Sequence, residues 1–318
     1  MEQALSPEFL PRDFIETVDK LYFAVVAEGT EECRALCFLR YLGRSSGLQK
    51  LSTEEANALL REAFPHYLYY SRARDARLHG VPVEEIVRHY RPRQRLQELL
   101  TSVPKDLHEE SVVTLAHHFI ERGIDLSALG VTGSLLVGAH NPRSDIDWVF
   151  YERQCFTQAQ AILRELMESR VVAPLNPPQW RDAYARRGCH LSFEEYLWHE
   201  QRKYNKGMIN GIKFDLGLVV PGAEPETGAY SKIGQTTVRG ELKDATYAFD
   251  MPARYVIDHS ELRQVVCYTP TYCGQALTGD IIEAAGWIER GEDGEKRLVV
   301  GSDREALGQY IKVIKPRD

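Results

Sequence analysis

Residues Gly130–Glu152 read GVTGSLLVGAHNPRSDIDWVFYE. Asp145 and Asp147 stand one residue apart at the head of an otherwise apolar run, Trp148–Tyr151, shortly after Gly133 and Ser134 close another apolar run. A buried strand avoids carboxylates, because desolvating a charge is costly unless it is paired or bound to metal. Side chains at i and i+2 of a strand project to one face, with backbones about 7 Å apart. Two carboxylates so placed repel each other, and a shared proton or a cation relieves the repulsion. Hard divalent ions with oxygen ligands suit the arrangement.

A third acid has the same setting. Asp215 lies inside IKFDLGLVV, Ile212–Val220, an otherwise apolar strand pattern. If that strand neighbours the first, three carboxylates converge, enough for two metal ions about 3.5–4 Å apart. Gly133 lets backbone come close to a ligand. Ser134 is expected to open a short turn or helix, SLLVGA, and the N–H groups and positive end of a helix there would favour phosphate. An ordinary serine cap shows the same residues, so the Gly-Ser pair alone says little. The spacing of the whole set is the specific feature.

GSLLVGAHNPRSDID resembles the signature of the DNA polymerase β-like nucleotidyltransferase superfamily: a Gly-Ser, a further glycine four residues after the serine (Gly138), then Ser144, Asp145 and Asp147. The family's third carboxylate, on a later strand, corresponds to Asp215. The resemblance implies an α/β (α+β) fold with a mixed-sheet nucleotidyltransferase core. It also implies transfer of NMP from a nucleoside triphosphate to an acceptor hydroxyl, with two Mg2+ ions. Asp145 and Asp147 would ligate the metals, and Asp215 would bind the catalytic ion and help deprotonate the acceptor. Gly133, Ser134, Ser144 and Lys213 would meet the nucleotide. The whole chain also resembles a group of predicted nucleotidyltransferases of archaea and bacteria, through PRDFIET, FAVV, LHGVPVEEI, HYRPRQRL, YTPTYCGQA and GQYIKVI. The acceptor is left open between an RNA end, a protein hydroxyl and a small molecule, because a fold does not set a substrate. A rival reading is a non-catalytic nucleotide-sensing or nucleic-acid-binding module, which has no need of three carboxylates.

One departure matters. Small members of the superfamily carry basic or polar residues after the Gly-Ser, whereas this chain has Leu135, Leu136 and Val137. That apolar turn is expected to pack under a neighbouring segment, and the triphosphate charge must be met elsewhere. Arg143, Lys203, Lys206 and Lys213 are the candidates, with Arg202 beside them. Lys213 shares the strand face of Asp215. The plain alternative for Arg202, Lys203 and Lys206 is a solvated helix face, and for Lys213 a solvated strand edge. The Arg-rich stretches YSRARDARLHG and RHYRPRQRL could form a basic face for RNA or a solvated face paired with Glu84, Glu85 and Glu98.

The surroundings are those of a globular protein. The 318 residues suggest two or three domains, and a hydrophobic fraction of 43% suffices for a core. A net charge of −7 argues against a dedicated polyanion-coating protein and leaves a local basic face open. Cys33, Cys37, Cys155, Cys189, Cys267 and Cys273 form no C-x-x-C pair, as expected of reduced thiols. The N-terminus lacks the features of a signal peptide, and no apolar run approaches a membrane span. A cytoplasmic location without membrane partners is expected.

Three segments are expected: an N-terminal α/β segment over 1–104, the nucleotidyltransferase core over 105–222, and a β-rich domain over 223–318. LSTEEANALLREAF has the cap-like start of a helix at Ser52. PVEEIVRHYRPRQRLQELL suggests two helical pieces interrupted at Pro92. Helices are expected in HEESVVTLAHHFIERG, FTQAQAILRELMES and SFEEYLWHEQRKYN, with a Pro-rich loop at APLNPPQW. GDIIEAAGWIERG and RLVVGS suggest a hairpin. GQYIKVI suggests a terminal strand whose partner periodicity leaves open, the N-terminal strands being one candidate.

Overall fold

The computed structural model describes residues 9–223, 230–301 and 308–317. The first eight residues, on which the signal-peptide reading rests in part, and Ser302 at the end of RLVVGS lie outside the described residues. The fold is mixed α+β. The described residues divide into two compact units. One takes those within Met1–Ser71, Arg77–Ala173 and Lys206–Pro225, the other those within Arg72–Ala76, Pro174–Asn205 and Glu226–Asp318. The 1–104 and 105–222 segments of the sequence reading therefore share most of one unit, while 174–205 groups with the C-terminal strands.

The first unit begins with an antiparallel sheet: β1 (Phe14–Thr17), β2 (Leu21–Val25), β3 (Arg34–Arg44), β4 (Gly47–Lys50), β5 (Leu68–Ser71), β6 (Ala76–Pro82) and β7 (Ile86–Tyr90). Their order is β5-β6-β3-β2-β1-β7, with β4 on β3. One face packs Ile15, Phe23, Val25 and Leu39 on Ala56 and Leu60 of helix α1 (Thr53–Ala63). Ser52 caps α1 as its sequence suggests: its Oγ accepts from Glu55 N–H, and the Glu55 carboxylate accepts from Ser52 N–H. The opposite face presents Phe14, Tyr22 and Tyr41. Ile86–Tyr90 is a strand, not the helical piece expected. It pairs with β1, Phe14 opposite Tyr90 and Ile15 opposite His89. Cross-strand pairing outweighs the weak helical pattern of a stretch containing Ile, Val, His and Tyr. Pro92 starts helix α2 (Pro92–Thr101) at its first position instead of interrupting one.

The second sheet of this unit carries β8 (Leu129–Thr132), β9 (Ile146–Phe150), β10 (Lys206–Ile209) and β11 (Ile212–Leu218) in the order β10-β11-β9-β8. β9 and β11 are parallel, and both edge pairings are antiparallel. Helices α3 (Leu107–Glu121) and α4 (Arg153–Glu168) supply aromatic contacts to β9: Phe119 meets Trp148 and Phe150 edge-on at 5.5 and 5.4 Å, and Phe156 meets Phe150 at 5.9 Å. These contacts hold the even-numbered positions of β9 in the core, so Asp147 is left on the opposite face. On that opposite face α2 lies against β8, where a side chain on Gly130 would meet Pro92 at 2.8 Å.

The second unit contains α5 (Pro177–Ala185), α6 (Phe193–Arg202) and strands β12 (Tyr230–Asp244), β13 (Ala253–Ile257), β14 (Gln264–Cys267), β15 (Ile281–Gly291), β16 (Lys296–Val300) and β17 (Tyr310–Lys315). The Pro-rich loop is shorter than expected, because Pro177 already opens α5. The long β12 pairs with β13 at one end and with β15 along most of its length, so β12-β13-β14-β16-β15 closes into a ring. The expected hairpin is β15–β16. The terminal strand β17 joins β15, with Ala284 opposite Ile311, so its partner comes from the same unit and not from the N-terminal strands. Among the described residues no helix is long and apolar enough to cross a membrane.

Candidate functional site

The site lies on the face of the four-stranded sheet that carries Asp147. Alternation on β11 sets it up: Ile212, Phe214, Leu216 and Leu218 are buried, while Lys213, Asp215 and Gly217 are partly exposed. Phe214 pairs with Ile146 and Asp215 with Asp147, which aligns the two carboxylates across neighbouring strands. Antiparallel pairing sets Thr132 opposite Asp147 and Lys206 opposite Asp215. Thr132, Asp147, Asp215 and Lys206 thus form one row across β8, β9, β11 and β10, on one face. The next row holds Lys213, whose Nζ lies 3.0 Å from Asp145 Oδ2 and 3.5 Å from Asp215 Oδ2.

Asp145 precedes β9 in a loop tied to the start of α3. His108 Nε2 lies 3.0 Å from the Ser144 carbonyl, and His140 Nε2 lies 2.8 Å from Asp106, the N-cap of α3. Ser144 Oγ accepts from Asn141 N–H at 3.0 Å, so its side chain shapes this loop. Arg143 stands exposed there, and its own N–H binds Asn141 Oδ1.

Gly133 follows β8 with φ +69°, and a Cβ there would collide with Asp147 Oδ2. Glycine is required twice, for its backbone conformation and for the approach of the carboxylate. Of the turn or helix expected at Ser134, the structure has the turn: residues 133–138 are successive turns, closed by Ala139 N–H on the Ser134 carbonyl at 2.8 Å. No helix dipole points from Ser134. The apolar turn packs as expected, with Leu136 against Phe14, Tyr22 and Tyr41 of the first sheet, and Arg95 donates to the Leu135 carbonyl. Burial of these side chains holds the turn in place of helical hydrogen bonds.

Arg12 has no counterpart in the sequence reading. It adopts φ +75°, and Thr132 Oγ1 donates to its carbonyl. Its guanidinium covers Gly217, where an added Cβ would come within 2.6 Å of Nη2. Burial, followed by the charges of Asp215 and Asp145, pushes the Asp147 carboxyl above its ordinary range, and Arg12 and Lys213 oppose the shift. Tyr41, raised chiefly by burial, also feels the charge of Asp147. Arg12 gave no periodic signal; only its place in PRDFIET marked the segment.

The remaining cation candidates separate. Lys206 is in the site row. Lys203 is buried in the second unit against Glu200 and the Thr271 carbonyl, and Arg202 binds Asp280 at 2.8 Å. Among the described residues no group of three or more His, Cys, Asp or Glu is gathered closely enough to hold a metal ion as it stands. The donor chemistry of Asp145, Asp147 and Asp215 nevertheless fits a hard divalent ion. The repulsion on Asp147 is only partly offset by Arg12 and Lys213, and the Lys213 ammonium supplies the positive charge between the other two.

No protein-family model matches the sequence. The chain is 33% identical over 334 aligned residues to the uncharacterised protein MJ1086 of Methanocaldococcus jannaschii, an alignment that takes in 95% of this chain and 98% of that protein. A likeness of this degree, running through both units and the site, means that the chain belongs to the family of this archaeal protein.

Proposed function

We propose that the protein is a metal-dependent nucleotidyltransferase that moves NMP from a nucleoside triphosphate to an acceptor hydroxyl. The observation that carries this reading is the pairing of Asp147 with Asp215 on one sheet face, with Asp145 beside them and the Gly133 turn against Asp147. Asp145, Asp147 and Asp215 would hold the divalent ions. When bound, these ions supply the charge that draws triphosphate in and lowers the pKa of the attacking hydroxyl.

The chain's own residues do the rest. Gly133 leaves room for a ligand against backbone. Arg12, Lys206 and Lys213 ring the carboxylates with positive charge, as suits the charge that spreads over a transferring phosphoryl group. Lys213 exchanges carboxylate for phosphate as nucleotide enters. Such groups act by position and field, without forming bonds to the substrate.

A second reading has one observation in its favour. With Lys213 held by Asp145 and Asp215, the acids already have a cation, as would suit a nucleotide-binding module without catalysis. Calorimetric titration with a non-hydrolysable NTP, in magnesium and then in EDTA, tests the catalytic reading. Magnesium should tighten binding, because without it three carboxylates repel the triphosphate. Equal affinity in both would favour the binding module. Incubation with labelled NTP, magnesium, and RNA, protein or metabolite extract in turn then identifies the acceptor.

A further inference from the structure

A cleft of about 320 Å³, solvent space included, opens beside the Gly-Ser turn, lined by Arg88, Tyr90, Arg91, Gln94, Arg95 and Leu136, with His89 and Glu98 completing its wall. Its charge is unevenly used. Arg95 is committed to the fold, since it binds Glu109 at 2.8 Å and the Leu135 carbonyl at 3.1 Å, with Glu98 at 3.7 Å. Arg88 and Arg91 are exposed, and among the described residues neither has an acidic partner. Arg88 lies over the Tyr90 ring, its guanidinium carbon 4.4 Å from the centroid, and Tyr90 is fixed by its hydroxyl on Glu16 at 2.8 Å.

We infer that this cleft binds phosphate groups of a single-stranded nucleic acid, as a site separate from the carboxylates. Two arginines without acidic partners offer planar donor forks that match phosphate oxygens. A guanidinium on a fixed tyrosine gives a flat cationic platform of the kind on which bases stack. The lining is predominantly polar, so the cleft does not suit an apolar ligand. Leu136 joins it to the turn that begins at Gly133, against Asp147. A strand held here would run toward the carboxylates. Its role as acceptor rests on the transferase reading; its binding does not.

The test is fluorescence anisotropy of a short labelled oligouridylate, without nucleotide or metal, over a range of salt concentrations. The wild type should bind, and Arg88→Gln with Arg91→Gln should weaken binding about tenfold and lower the salt slope by about 1.4, at ~0.7 for each phosphate contact. Both side chains are exposed, so unchanged melting would show that the fold is intact. Unchanged affinity in the double variant, or no binding by the wild type, overturns the inference. Pyrophosphate binding that the double variant abolishes, with no oligonucleotide binding, overturns the strand and assigns the cleft to a free phosphorylated ligand. Because neither NTP nor magnesium is present, failure of the transferase reading would show in the calorimetry and not here.

Discussion

Asp147 and Asp215 stand side by side on the parallel strands β9 and β11, two residues along from Lys213, whose ammonium binds Asp145. Two acids in one row are a poor way to stabilise a sheet. The arrangement makes sense only with cations to balance it, Lys206 within the row and Lys213 and Arg12 beside it.

Asp147→Asn should raise the melting temperature at pH 7 while abolishing nucleotide transfer. The native carboxyl is raised by burial and by Asp215, so above the ordinary carboxylate pKa the native state binds more protons than the unfolded state. Its contribution is fully present below the unfolded value and is lost as pH rises through the native one. Asparagine stays neutral, so its advantage should vanish in strong acid. Lower stability of the variant at pH 7 would mean that attraction to Arg12 outweighs both burial and repulsion.

Gly217→Ala and Arg12→Ala should resemble each other. A methyl group on Gly217 displaces the flexible end of Arg12 and should alter stability by less than about 1 kcal/mol. Each variant should weaken magnesium-NTP binding, read by calorimetry, and the double variant should be no worse than Arg12→Ala alone. Fully additive losses would show that Gly217 acts otherwise than through Arg12.

Lys213→Met should increase affinity for manganese in the absence of nucleotide by roughly tenfold, because the ammonium now competes for Asp145 and Asp215. Paramagnetic resonance of free manganese measures it directly. Weaker metal binding in this variant would count against competition.

The second unit should lose stability between about pH 6.5 and 4. His199 is buried and held down to about 4, burial being the main cause. Val313 N–H donates to its Nε2 at 2.9 Å, while Nδ1 lies 2.6 Å from the Glu195 carbonyl, so the ring joins α6 to β17 as the neutral tautomer. The unfolded state takes up its proton first as pH falls, so stability present above the unfolded pKa drains away toward the folded one, by roughly 3 kcal/mol. Thermal melts of the wild type should show this slope, and His199→Gln should flatten it at the cost of lower stability at pH 7. A slope equal in both proteins would assign it to other groups.

Some of this was legible because local rules act over a few residues. The parity of Asp145 and Asp147, the alternation around Asp215 and the cap at Ser52 follow from strand and helix geometry alone. The close approach at Gly133 was readable as a glycine following an apolar strand. Misreadings arose where a short local pattern met a distant partner. Val83–Tyr90 shows a weak helical pattern, yet β1 recruits Ile86–Tyr90 as a strand. At Ser134 a turn and a helix start both fit the local pattern, and burial of Leu136 against Tyr22 and Tyr41 holds the turn.

By itself, then, the sequence determined which side chains could share a face and which backbone could approach a ligand. Only the tertiary structure decided that Asp215 stands in the row of Asp147, that Lys206 joins this row while Lys203 is buried against Glu200, and that Arg12 reaches Gly217. Lys213 and Asp145 are 68 residues apart, and Arg12 and Thr132 are 120 apart. Register between such segments is set by which side-chain sets bury together, and a one-residue slip would send Asp215 to the core face. That choice is made by the packed sheet as a whole, and no window of sequence contains it.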